Sequence, residues 1–246
     1  METRKLEGKV ALITGGSRGI GKAIALAYAR EGARVFICAR NEADLGKAAE
    51  EIRSSGGEAS WRAADIAKAR EVKRLVRAAC DTYGTIHILV NNASILGPRE
   101  PIMDYPLSSW EEVLKVNLTA LFVVTKEVLR VMVPQREGAI INLSSGVGRV
   151  GKARWGAYAV SKFGVEALTQ VLADEVTDLN IRVNAVNPGG TRTEMRAQAY
   201  PEEGPLTLPT PDEITPVFVY LASTDSQGIS GKSFDARHWL QKRQKA

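Results

Sequence analysis

The sequence predicts an α/β protein built on a doubly wound parallel sheet. Apolar runs of strand length alternate with segments of helical period as far as about residue 186. A glycine-rich turn joins the first run to the first helix. Polar or turn-forming residues recur where the first, fourth, fifth and sixth runs end. Right-handed crossovers wind such a sheet twice and leave ligands outside the carboxyl ends of its strands.

The elements follow in order. Lys9 to Thr14 reads as a buried strand, and the helix after it carries Ile20, Ile24, Ala27 and Tyr28 on one face. Gly32 closes that helix. Arg34 to Ala39 is the second strand, Glu42 to Arg53 the second helix, and Glu58 to Ala63 the third strand. A helix bearing Val72, Leu75, Val76 and Ala79 leads to a fourth strand, Ile86 to Asn91. Ser108 or Ser109 is expected to cap a long helix reaching about Val133 and stopping before Pro134. Ala139 to Leu143 is the fifth strand, a helix runs from about Gly156 to Thr177, and Ile181 to Val186 is the sixth strand. About seven strands are expected in all. The stretch 193–211 holds four prolines and reads as a mobile flap over the substrate.

The composition of the 246 residues excludes other classes. With 44% hydrophobic and 25% charged residues, the chain is neither disordered, collagen-like nor a disulfide scaffold. No linker, repeat or low-complexity segment divides it, so residues 1–246 read as a single domain. Cys38 and Cys80 suit a reducing compartment. No apolar run is long enough to span a bilayer, and Met1 to Lys9 lacks an apolar signal core. A cytoplasmic protein without membrane contact is expected. The formal charge of +5 invites a nucleic-acid reading. However, Lys232 to Ala246 alone carries +4, with the basic tail 240–246 inside it, leaving about +1 for the body. A nucleic-acid partner is therefore not expected. His87 and His238 share no metal-ligand spacing with each other or the cysteines, so no metal is expected.

Thr14-Gly15-Gly16-Ser17-Arg18-Gly19-Ile20-Gly21 lies between the first strand and first helix. Glycines there permit a tight turn and let backbone N–H groups and a helix N-terminus approach a pyrophosphate. Tyr158-x-x-x-Lys162 puts two side chains on one helix face, a weak signal alone. Its company strengthens it: Ser145 follows the fifth strand, Asn117 interrupts an apolar helix, Asn91-Asn92-Ala93 ends the fourth strand, and Asn187-Pro188-Gly189 ends the sixth. The second strand is followed by Arg40-Asn41, where a site for NAD usually has an acid for the ribose 2′-OH. With Arg18 in the glycine loop, Arg40 offers two guanidinium groups to a 2′-phosphate, which selects NADP(H).

These residues together resemble the short-chain dehydrogenase/reductase family over nearly the whole chain, with a 3-oxoacyl-carrier-protein-reductase-like pattern and a Rossmann-like fold. The resemblance implies an NADP(H)-dependent oxidoreductase interconverting a carbonyl and a secondary alcohol. Tyr158 would be the general acid/base, Ser145 would hydrogen-bond the same oxygen, and Lys162 would bind the nicotinamide ribose. Lys162 is expected to favour tyrosinate, drawing the Tyr158 pKa below about 10. Asn117 would hold a water linking Lys162 to solvent. Gly15, Ser17, Arg18, Gly19, Ile20 and Gly21 would cradle the cofactor, with Arg40 and Asn41 at the 2′-phosphate and Asp65 and Ile66 at the adenine. Taken alone, Asp65 would more often be a helix cap. Asn92 and Ala93 would lie beside the cofactor, with Pro188, Gly189, Thr191 and Thr193 towards the nicotinamide and phosphates.

Two departures stand out. Ser94 replaces a glycine common in the family, and a small serine can fill that turn. Ser233 to Trp239 replaces a Gly-Gly-bearing segment, so a homodimer through the long helices near Asn117 and Tyr158 is favoured, with a homotetramer as the other oligomer. Arg149, Lys152 and Arg154 crowd the loop before Tyr158. They read either as a solvated basic loop or as the attractor of an anionic or carrier-linked substrate. Two further function classes stay beside the enzyme: an NADP(H)-binding sensor without turnover, and a nucleic-acid module motivated by charge alone.

Overall fold

The computed structural model describes residues 4–243, with side chains through Trp239. Seven parallel strands form one sheet in the order β3-β2-β1-β4-β5-β6-β7. They are β1 (Val10–Thr14), β2 (Arg34–Ala39), β3 (Glu58–Ala63), β4 (Ile88–Asn91), β5 (Gly138–Leu143), β6 (Ile181–Asn187) and β7 (Ser233–Asp235). Helices α1 (Gly19–Arg30), α2 (Glu42–Ser54), α3 (Ala69–Tyr83), α4 (Leu107–Leu114), α5 (Ala120–Gln135), α6 (Gly156–Glu175), α7 (Glu194–Ala199), α8 (Pro216–Ala222) and α9 (Ala236–Arg243) cover and flank it.

Period two along the strands feeds two cores. Ala11 and Ile13 of β1 face one side and join Ile24, Tyr28, Leu45 and Phe218, the layer of α1, α2 and α8. Val10 and Leu12 face the other and join Leu75, Val124, Val128 and Leu172, the layer of α3, α5 and α6. Burial on both faces explains why β1 reads as an unbroken apolar run. Strand order reverses beside β1, between β2 and β4, and the main cleft opens there.

Several boundaries differ from expectation. β4 starts at Ile88, not Ile86, because the His87 ring takes a ladder position: its Nδ1 accepts from Val10 N at 3.0 Å. Neither Ser108 nor Ser109 caps the long helix. It begins at Leu107 after Pro106, whose fixed φ of −62° already leads the chain in. It passes Pro134 and stops at Gln135, where Arg136 turns left-handed. Lys115 to Thr119 forms a π-helical turn between α4 and α5, and Asn117 lies within it. Helix α6, which carries Tyr158, ends at Glu175, two residues early, before a short 3₁₀ turn from Thr177 to Leu179.

The stretch 193–211 is more ordered than an irregular loop. Thr193 caps α7 by accepting from Arg196 N at 3.2 Å, and Arg196 pairs with Glu203 through two hydrogen bonds. The C-terminal segment, despite its unusual sequence, adds β7 beside β6 and places Trp239 4.5 Å from the Tyr220 ring. The basic tail 240–246 continues α9 as far as Arg243; its side chains and residues 244–246 lie outside the described residues. Among the described residues no helix is long and apolar enough to cross a membrane.

Candidate active site

The cleft at the strand carboxyl ends has a volume of about 540 Å³. At its β1–α1 end the wall is backbone. Gly15 adopts φ +66°, and a Cβ there would stand 2.7 Å from Asn92 Nδ2 and 3.0 Å from Ala93 Cα. A Cβ on Gly21 would strike the Gly15 carbonyl oxygen, so Gly21 is a packing glycine behind the loop rather than part of the cleft wall. Asn92 is a staple: its Nδ2 donates to Thr14 O at 2.9 Å and Gly15 O at 3.0 Å. Thr14 Oγ1 accepts from Asn92 N and Ala93 N. Helix α1 begins at this loop with no side-chain cap and no acid in its first turn. Its leading N–H groups therefore face the cleft without an internal anion to satisfy them, the arrangement that receives phosphate.

Arg40, exposed at the end of β2, lines the cleft and pairs with no acid among the described residues. Asn41 is in the wall too, but its side chain caps α2 at Asp44 N. Arg18 reaches across to Glu194 of α7 instead of standing free. Asp65 closes a local turn by accepting from Ala67 N at 3.0 Å, two residues short of α3, and still borders the cleft beside Ile66. It is a turn residue, with Lys68 at the cap position of α3.

The β5–α6 end is built from buried side chains. Tyr158 and Lys162 lie one turn apart on α6, 9% and 3% exposed. Lys162 Nζ donates to the Leu143 carbonyl at 2.8 Å and sits 5.6 Å from the Tyr158 ring centre. Burial pushes the Tyr158 phenol up to about 12, and a hydrogen bond from Ser145 pulls it partly back. This corrects the expected direction. Desolvation of the phenolate outweighs an ammonium that is itself held away at a carbonyl. Burial also lowers Lys162 to about 8, against the opposing charge of Glu166. Glu166, one further turn along α6, is missing from the sequence reading, although its i, i+4 spacing from Lys162 was a usable signal.

Asn117 is buried, and its carboxamide is committed. Oδ1 accepts from Ile95 N at 2.8 Å, while Nδ2 donates to Ile95 O at 2.9 Å and Ser161 Oγ at 3.1 Å. Both amide hydrogens are spent, so the side chain pins the loop after β4 to α6. Ser144, Leu143, Tyr158 and Lys162 are in the cleft wall; Asn117, Ser145, Gly189 and Thr191 do not line it. Gly189, at φ +71°, gives room to Arg237 of α9. Thr191 is buried with its hydroxyl 3.3 Å from Pro188 O, while Pro188 and Thr193 reach the cleft. Gly15, Ser17, Gly19, Ile20 and Ala93 line the cleft.

The basic loop before Tyr158 divides. Arg149 turns away into a network with Glu166 at 3.2 Å, Asp235 at 2.9 Å and the Ser233 hydroxyl, so it is a structural residue. Arg154 pairs with Glu100 on the surface. Lys152 donates to the Tyr200 hydroxyl at 3.2 Å.

A family model described as short chain dehydrogenase matches residues 9–204. The chain is 39% identical over 235 residues to the uncharacterized oxidoreductase YciK of Escherichia coli, covering 94% of this chain and 93% of that protein. It is 36% identical over 236 residues to the 3-oxoacyl-[acyl-carrier-protein] reductase FabG of Vibrio cholerae, covering 93% and 95%. Among solved structures, a Shigella flexneri short chain dehydrogenase complexed with NADP superposes with a TM-score of 0.92 at 38% identity, over 96% of this chain and 100% of that one. An Escherichia coli short chain dehydrogenase complexed with NADPH gives the same TM-score, identity and coverage.

Proposed function

The chain belongs to the short-chain dehydrogenase/reductase family, and on that premise we propose that it interconverts a carbonyl and a secondary alcohol with NADP(H), Tyr158 acting as general acid/base. The observation that carries this reading is one continuous cleft. It runs from the uncapped N-terminus of α1 and Arg40 to Tyr158 and Lys162.

The cradle fits a dinucleotide. Gly15, Ser17, Gly19, Ile20 and the leading turn of α1 would hold the pyrophosphate, and Arg40 the 2′-phosphate. Arg18 joins Arg40 when it exchanges Glu194 for phosphate. Ile66 and Asp65 would border the adenine, Ala93 the ribose, and Pro188 and Thr193 the nicotinamide side. When bound, the cofactor supplies the hydride. Tyr158 delivers the proton to the developing alkoxide. Its raised pKa keeps the phenol protonated at neutral pH, which suits reduction. Ser145, whose hydroxyl draws the Tyr158 phenol partly back down, would share the oxygen Tyr158 serves. Lys162, still largely protonated at pH 7, stabilises the tyrosinate once the proton has left and holds the nicotinamide ribose.

The whole chain acts as one unit, with residues 193–211 as the moving flap. Phe122 of α5 and Val160, Phe163 and Val171 of α6 are exposed apolar residues that support a homo-oligomer through these helices. The free cysteines Cys38 and Cys80 favour the cytoplasm. The intact Ser145, Tyr158 and Lys162 set favours an enzyme over a cofactor sensor.

Titration with NADPH and NADH tests the cofactor assignment. NADPH should bind at least about tenfold tighter, and Arg40→Asp should remove the preference, as expected for a lost charge-assisted contact. Equal affinities in the wild type would contradict it.

A further inference from the structure

We propose that the substrate carries an anionic group, a carboxylate or a phosphate, near its carbonyl, and that Arg99 and the Trp155 indole N–H receive it; this rests on the oxidoreductase reading above. Arg99 lies on the segment that follows β4. Its guanidinium lies beside two neighbouring rings, 5.0 Å from Trp155 and 4.9 Å from Tyr200, whose centres are 5.9 Å apart. One amino group donates to the Ala199 carbonyl. The Nε–H is buried and meets no acceptor, and no carboxylate pairs with Arg99 among the described residues.

Trp155 repeats the pattern. It is 7% exposed, its Nε1–H has no acceptor, and its ring centre lies 5.5 Å from that of Tyr158. Two buried donors without partners among the described residues thus lie close together, one on Trp155 beside Tyr158 and one on Arg99 next to Trp155. Three cations crowd the Tyr200 ring: Arg99, Lys152 and Arg196. Among the described residues Arg196 alone of the three has a carboxylate, Glu203.

A partly buried guanidinium with an orphaned N–H is costly unless a counter-charge arrives. The two rings and the Ala199 carbonyl hold the guanidinium in place, and its planar fork matches carboxylate or phosphate in a way an ammonium does not. Ile95, Leu96 and Met195 in the adjoining cleft wall leave an apolar surface for the rest of a small substrate. A thioester tethered to a carrier presents no charge beside its carbonyl, so this site favours a small free acid or phosphate ester over a carrier-linked chain.

The test pairs ketones that differ in charge: 3-oxobutanoate with its methyl ester, and dihydroxyacetone phosphate with dihydroxyacetone. In the wild type with NADPH, at least one charged member should exceed its neutral partner in kcat/KM by about tenfold or more, mainly through KM. The pair showing the preference separates carboxylate from phosphate. Arg99→Met should abolish the preference while leaving the neutral ketone within about twofold. Arg99→Lys, which keeps the charge and loses the fork, should recover only part of it. Thermal melting of each variant shows that it is folded.

A turnover-free arm measures binding of malonate and inorganic phosphate to the NADP⁺-loaded protein by Trp fluorescence, with Trp155→Phe as control. Binding to the wild type that weakens about tenfold in Arg99→Met supports the site even if no ketone is reduced, in which case the oxidoreductase reading falls alone. Ketones reduced without regard to charge, or anion binding that survives Arg99→Met, overturn this inference and leave the oxidoreductase reading standing.

Discussion

At the β1–α1 end of the cleft, backbone groups and exposed cations face outward; at the β5–α6 end, buried side chains face one another. Gly15, Gly19 and the start of α1 work through conformation, and Arg40 remains on the surface. Tyr158, Lys162 and Glu166 are all buried, and burial moves the Tyr158 phenol up and the Lys162 ammonium down. On the proposed reading the first end would bind because it is preformed. On the same reading the second would react because it holds a cation in a place that disfavours charge. A substitution should therefore act in opposite directions on stability at the two ends.

Lys162→Met gives the largest contrast. The folded protein lowers this ammonium from 10.5 to about 8, so the unfolded chain holds the proton more tightly. Below pH 8 the folded state carries the full penalty; stability then rises with pH from about 8 to 10.5 as that penalty is relieved. That difference corresponds to roughly 3 kcal/mol at most. The variant should melt higher than wild type at pH 7, with the gap closing towards pH 10.5, and should lose reductase activity. Calorimetry across pH checks this; a lower melting temperature at pH 7 would break the contrast. Tyr158 adds the opposite slope at higher pH. Its folded pKa lies above the unfolded value of 10.0, so its contribution is present below pH 10 and fades as pH rises towards 12.

Gly21→Ala is the counterpart at the other end and a smaller effect. The new methyl would strike the Gly15 carbonyl and Asn92, so the loop must shift. Overpacking of this kind costs about 1–3 kcal/mol. NADPH binding should weaken together with the melting temperature, measured by titration and thermal unfolding. Weaker binding at unchanged stability would mean Gly21 meets the cofactor directly.

The same division explains what the sequence made legible. The glycine loop, the strand-helix alternation and the Tyr158–Lys162 spacing are local patterns, and the structure carries them as read. Roles that depend on distant partners were not readable. Arg149 looks like a loop cation until Asp235, on β7, reaches it. Arg18 finds Glu194 on α7, and Asn117 finds Ile95 and Ser161. The direction of the Tyr158 shift went wrong for one reason: the nearby ammonium was visible as spacing, whereas the depth of burial was not. Helix ends moved where proline geometry overrode serine capping, at Pro106. Arg99 and Trp155 were silent because their significance lies in partners they lack.

The central claim is hydride transfer to a carbonyl with Tyr158 as proton donor. It is tested by incubating the protein with NADPH deuterated at its transferable C4 position and a panel of ketones, then looking for deuterium on the product carbinol carbon. The account predicts deuterated alcohol from the wild type and a rate lower by about 10²–10⁴-fold in Tyr158→Phe. Tight NADPH binding with no deuterium in any product, or undiminished transfer in Tyr158→Phe, would contradict it.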